Sequence, residues 1–98
     1  MTITKHSGDA LTLTLEGRLD TTTAPELQNA LLAAFDENKQ VVLDFQAIEY
    51  VSSAGLRVLL LGAKKAKALG GTQTLVHVPD EVQEVFELTG FDSVLTFG

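Results

Sequence analysis

Two short stretches of the chain collect side chains that could bear chemistry. Gly17-Arg18-Leu19-Asp20-Thr21-Thr22-Thr23 sets a carboxylate among hydroxyls, and Glu49-Tyr50-Val51-Ser52-Ser53-Ala54-Gly55 sets two adjacent serines before two small residues. A serine hydroxyl attacks a carbonyl only when a base removes its proton, and no histidine lies near Ser52 or Ser53. Asp alone is a poor activator, which argues against a self-contained hydrolase. The same hydroxyl can instead receive a group from a foreign catalyst, and then it needs only exposure. Serine is also a preferred helix N-cap, worth about 1 kcal/mol over alanine. Only one of the two can be the cap. If Ser52 caps, Ser53 falls in the first helical turn with its hydroxyl free to face solvent. Ala54 and Gly55 leave the approach open, and a glycine there costs up to about 1 kcal/mol of helix propensity, which suggests a need for close approach. Asp20 reads equally as a turn or cap residue of a threonine-rich loop.

The elements that would position these loops are legible as patterns. Thr2 to His6 is extended and Ser7-Gly8-Asp9 turns the chain. Leu11, Leu13 and Leu15 then alternate with Thr12, Thr14 and Glu16, a period of two that puts the leucines on one face of a strand. Thr23 and Glu26 have capping-box spacing with Pro25 in the first turn. Leu27, Ala30, Leu31 and Ala34 continue that helix to Phe35, and the polar run from Asp36 to Lys39 ends it. Val41, Val42, Leu43 and Phe45 predict a central strand covered on both faces. A second helix is expected from Ser52 or Ser53 to Gly70-Gly71, with Lys64, Lys65 and Lys67 near the negative end of its dipole. Leu75, Val76 and Val78 mark a fourth strand. Pro79 and Asp80 open a third helix through Val82, Val85 and Phe86, and Val94, Leu95 and Phe97 close the chain as a short strand.

The order β-β-α-β-α-β-α-β predicts an α/β fold, a mixed and mostly parallel sheet with helices packed on it. Loops leaving the carboxyl ends of parallel strands gather on one edge, so Asp20 and the serines are expected to share a rim. Both loops lead into helix N-termini, where free N–H groups favour a negative group.

Composition narrows the function. At 98 residues, 45% hydrophobic and 20% charged, the chain suits one folded domain over 1–98. A net charge of -6 repels phosphate backbones and anionic lipid, disfavouring nucleic-acid and membrane-surface binding. No cysteine is present, which removes disulfides and thiolate metal sites. His6 and His77 lie on separate strands without a carboxylate run, so no metal site is expected. There is no Walker-type phosphate loop and no dinucleotide fingerprint. The opening MTITKHSGDA has no apolar signal core and no stretch could span a bilayer, so a cytoplasmic location and a monomer are the expectations.

Tyr50-Val51-Ser52-Ser53-Ala54-Gly55-Leu56-Arg57-Val58-Leu59-Leu60 resembles the phosphorylation-site signature of the anti-sigma factor antagonists, the bacterial STAS-domain family. Gly17-Arg18-Leu19-Asp20 with Ala24-Pro25-Glu26-Leu27 is similar to that family's first loop, and Leu88-Thr89-Gly90-Phe91 fits its usual ending. The resemblance implies a STAS-like domain without enzymatic activity or cofactor. Such a protein binds an anti-sigma factor serine kinase, frees the sigma factor, is switched off by phosphorylation, and is reset by a PP2C-type phosphatase. It implies Ser53 as the acceptor, two residues before Gly55, with Ser52 as the second candidate. The implied partner surface comprises Asp20, Thr21, Thr22, Ser52, Ser53, Ala54, Gly55 and Arg57. Two features depart from the pattern: Ser52 stands where many members carry Asp, and the sequence stops at Gly98 where many continue into another helix. An alternative within the same resemblance is a cytosolic STAS subunit of a lipid-transport ABC system, docking its ATPase subunit.

Overall fold

A computed structural model describes residues 1–98. The alternating leucines form β2 (Leu11–Leu19), which pairs antiparallel with β1 (Thr2–His6) through the expected turn. Beside β2 runs β3 (Gln40–Val51), followed by β4 (Thr72–Val76) and the two-residue β5 (Thr96–Phe97), all parallel to β2. The sheet order is β1-β2-β3-β4-β5, so each crossover moves the chain one strand along in the same direction. The crossovers are α1 (Ala24–Glu37), α2 (Ser53–Leu69) and α3 (Asp80–Thr89). The mixed, mostly parallel α/β architecture expected from the element order is the one observed.

All three helices lie on one face of the sheet. The registers Leu11↔Val41, Leu13↔Leu43 and Leu43↔Leu75 align buried residues of β2, β3 and β4 in rows on that face. Leu27 and Leu31 of α1, Leu56 and Leu59 of α2, and Val82 and Phe86 of α3 complete the core. Phe86 meets the rings of Phe45 and Phe97 at centroid distances of 6.2 and 5.7 Å. The expectation that the central strand is covered on both faces is therefore corrected. Thr12 and Thr14 pair with Val42 and Asp44, which pair with Thr74 and Val76, on a face that no helix covers. The near-continuous apolar run concealed this, because Val42 sits half-buried between Thr12 and Thr74, its partners on the neighbouring strands.

Other boundaries also shift. The last strand is shorter than expected: residues Phe91–Ser93 form a 3-10 turn and Val94 is exposed, leaving only Thr96 and Phe97 to pair with β4. One buried polar residue, Gln73, packs beneath α2, where its Nε2 donates to the Leu59 carbonyl at 2.9 Å. Gly62 makes room for it, since a Cβ at that position would overlap the Gln73 amide.

Candidate functional site

The rim is built where β2 and β3 run past the region the sequence assigned to them. Gly17-Arg18-Leu19 and Glu49-Tyr50-Val51, expected as loops, are strand residues. Two register shifts, between Thr14 and Glu16 and between Gly17 and Arg18, let the pair continue, and Gly17 adopts φ 114°, a value open to glycine. The extension brings Leu19 opposite Val51, and the Ser52 N–H donates to the Leu19 carbonyl at 2.8 Å. Asp20 and Ser52 thus leave neighbouring parallel strands side by side, about 4.8 Å apart in the strand-to-strand direction.

Ser52 is the cap. Its backbone is extended, at φ -92° and ψ 174°, and its Oγ accepts from the Gly55 N–H at 3.4 Å. Ser53 is consequently the first residue of α2, exposed, with its hydroxyl making no hydrogen bond within the chain. Gly55 answers to a neighbour within the chain. A Cβ there would lie 2.6 Å from Leu19 Cγ and 3.1 Å from the Leu19 carbonyl oxygen. The close approach suggested by a glycine in the first helical turn is thus the seating of α2 on the end of β2.

Asp20 organises the other loop. Its Oδ1 accepts from the N–H groups of Thr22 and Thr23 at 3.0 and 3.1 Å and lies 3.3 Å from the Thr23 hydroxyl oxygen. The Thr23 backbone N–H bond is the main reason its carboxyl is held below the ordinary value. Partial desolvation opposes this, while Thr22, the Thr23 hydroxyl and the Arg18 charge assist it. Thr23 Oγ1 in turn accepts from the Asp20 N–H at 2.9 Å and donates to the Arg18 carbonyl at 2.7 Å. The expected Thr23–Glu26 capping box is not formed, because the Thr23 side chain is engaged behind the helix and makes no cap bond. Asp20 is therefore a loop staple, held ionised and presenting Thr21 and Thr22 to solvent.

Three further features escaped the residue-by-residue reading. Arg18 and Tyr50 are register partners, and the guanidinium stacks over the ring at 4.3 Å from its centroid. Leu19 supports Gly55 from below. Between α1 and α2 runs a shallow groove of about 340 Å³, lined by Thr21, Ala24, Pro25 and Gln28 on one side and Ala54, Arg57, Val58 and Leu61 on the other. Its mouth adjoins both loops. Cross-strand register and helix pairing create all three, and neither leaves a local signature in the sequence. No group of three His, Asp or Glu side chains gathers anywhere in the fold, and no helix is long and apolar enough to cross a membrane.

A doubly anchored loop, a capped helix and an exposed serine on one sheet edge define a surface that can present a hydroxyl to a partner. Comparison with known proteins assigns the chain to a family. Residues 3–96 match the family model described as "Mlab, STAS domain". The chain is 41% identical over 81 residues to the anti-sigma factor antagonist BtrV of Bordetella bronchiseptica, covering 82% of this chain and 70% of that protein. Among solved structures, an anti-sigma factor antagonist from Mycobacterium paratuberculosis superposes with a TM-score of 0.86 at 26% identity, covering 98% of this chain and 83% of that one. The phosphorylated form of the Bacillus cell fate determinant SpoIIAA superposes with a TM-score of 0.74 at 15% identity, covering 99% and 91%. The chain belongs to the STAS domain family, and it is also 22% identical over 91 residues to the anti-sigma-B factor antagonist of Bacillus subtilis, covering 93% of this chain and 84% of that protein.

Proposed function

We propose that this chain is a cytoplasmic anti-sigma factor antagonist that binds an anti-sigma factor serine kinase through the rim and is released by phosphorylation of Ser53. The observation that carries the reading is the division of labour between the serines. Ser52 is occupied as the N-cap, whereas Ser53, one residue on, is exposed and unbonded. Asp20, Thr21 and Thr22 on the neighbouring loop and Ala54 and Arg57 on α2 form the rest of the partner surface, whereas Gly55, expected there as well, is buried against Leu19 and supports that surface from within.

The kinase supplies ATP. Serine Oγ forms a bond to the γ-phosphorus, the bond from that phosphorus to the ADP oxygen breaks, and the hydroxyl proton passes to a base on the kinase. A PP2C-type phosphatase returns the serine and inorganic phosphate by hydrolysis. The modified residue sits at a helix N-terminus, which tolerates negative charge, so the fold persists and the change acts at the surface. Phosphorylation adds about -1.5 to -2 charges. A like charge on a docked partner at about 4 Å then costs on the order of 4 kcal/mol at an effective dielectric near 20. That corresponds to roughly three decades of affinity, enough to release a micromolar partner.

The test is incubation with the cognate kinase and ATP followed by mass mapping, together with binding by two variants. Modification at Ser53, tight binding by Ser53→Ala and weak binding by Ser53→Asp are expected. Modification at Ser52, or equal binding by both variants, overturns the reading. Co-purification with a transporter ATPase subunit in place of a kinase would establish the lipid-transport alternative.

A further inference from the structure

We infer that Arg57 is an in-cis clamp for phosphate on Ser53, so that modification removes a cation from the partner surface as well as adding negative charge. The inference rests on Ser53 as the phosphorylated residue and assigns a function to a side chain on the following turn. Ser53 and Arg57 are four residues apart on α2, both exposed. That spacing puts their Cβ atoms about 5–6 Å apart on one helix face, and an acidic group N-terminal to a basic one is the favourable order.

Arg57 is also uncommitted. The ion pairs of the fold are Lys5–Glu37, Arg18–Asp20 and His77–Asp44, and Arg57 joins none of them. Instead it lies along the groove between α1 and α2, beside Ala54, Val58 and Leu61. The other cation near the rim, Arg18, is stacked on Tyr50 and stands 4.0 Å from the Asp20 carboxylate. Arg57 therefore has two accessible positions in a protein of net charge -6: along the groove while Ser53 is a free alcohol, and over the phosphate once it is modified. Guanidinium–phosphate pairing is bidentate and charge-assisted, so the second position wins when the phosphate is present. A partner carboxylate that met Arg57 at the groove mouth in the unmodified complex then loses its counter-charge.

The measurement is the second ionisation of the phosphate, followed by phosphorus NMR on protein carrying genetically encoded phosphoserine at position 53. Encoding the phosphoserine makes the result independent of which residue any kinase selects. The other charged or titratable groups on the elements meeting at this end of the sheet are the Met1 α-amine, Glu16, Arg18, Asp20, Glu26, Glu49 and Tyr50, and they are common to every form compared. An adjacent cation favours the dianion, so the wild-type phosphate titrates lower than that of Arg57→Gln, by about 0.2 to 0.4 unit. Arg57→Lys recovers part of the difference, and 1 M salt shrinks it by screening. Equal titration in wild type and Arg57→Gln overturns the clamp while leaving Ser53 phosphorylation intact. A kinase that leaves Ser53 unmodified overturns the functional reading without altering this titration.

Discussion

Gly55→Ala tests whether the α2 N-terminus is held in place by the end of β2. The new methyl group would stand 2.6 Å from Leu19 Cγ, 3.0 Å from Cδ2 and 3.1 Å from the Leu19 carbonyl oxygen. Ordinary carbon contacts lie near 3.5–4.0 Å, so something must retreat by about 1 Å. Leu19 is fully buried, and its carbonyl is bonded to the Ser52 N–H, so neither the side chain nor the backbone has free space to move into. Overpacking of this kind costs about 1–3 kcal/mol. Replacing a helical glycine by alanine returns about 1 kcal/mol. The net expectation is a loss of up to about 2 kcal/mol, or a melting temperature lower by up to about 15 °C for a domain of this size. Thermal unfolding followed by circular dichroism reads the first effect. Kinase binding reads the second, because lifting the first turn of α2 moves Ser53 away from the Asp20 loop. Gly8→Ala, whose methyl group would approach nothing closer than 3.4 Å, is the control and should change little. A Gly55→Ala protein more stable than wild type by about 1 kcal/mol, the full gain in helix propensity, would refute the seating of α2 on Leu19.

Ser52→Ala removes the cap from α2 and should cost about 0.5–1 kcal/mol, at the low end of the usual range because the bond to the Gly55 N–H is long at 3.4 Å. Urea unfolding measures the loss, and phosphorylation of Ser53 should persist in that variant. Asp20 supplies the pH dependence. Its folded-state pKa lies below the unfolded value of 3.8, so its contribution is fully present above that value and is lost as pH falls through the lower, folded one. Urea midpoints taken between about pH 5 and about pH 2 should show this step in wild type and a reduced one in Asp20→Asn; identical profiles would remove the staple.

Much of this was legible in the sequence for physical reasons that can be named. The alternation of Leu11, Leu13 and Leu15 fixed the buried face of β2, and Gly70, with φ 69°, ended α2 where a left-handed residue was needed. The order of elements implied parallel strands, and parallel strands bring Asp20 and Ser52 to one edge. The division between a capping and an exposed serine was available as an alternative, and the extended backbone of Ser52 selects it. What could not be read depends on partners distant in the chain. The length of β3 and the end of β2 are set by register shifts around Gly17, which local composition does not encode. Thr23 was assigned to the cap of its own helix, but its hydroxyl is drawn to the Arg18 carbonyl and the Asp20 N–H. The uncovered sheet face was hidden for a similar reason, since Val42 looks like a core residue until its partners Thr12 and Thr74 are known, and Val76 until its partner Asp44 is.

The central claim is that the exposed alcohol of Ser53 controls association with the kinase. The most direct measurement is the affinity of the cognate kinase for unmodified protein and for protein carrying phosphoserine at position 53, at one fixed salt concentration. The account predicts that the phosphorylated form binds about two to three decades more weakly, with the same far-ultraviolet circular dichroism. Equal affinities in the two forms would contradict it.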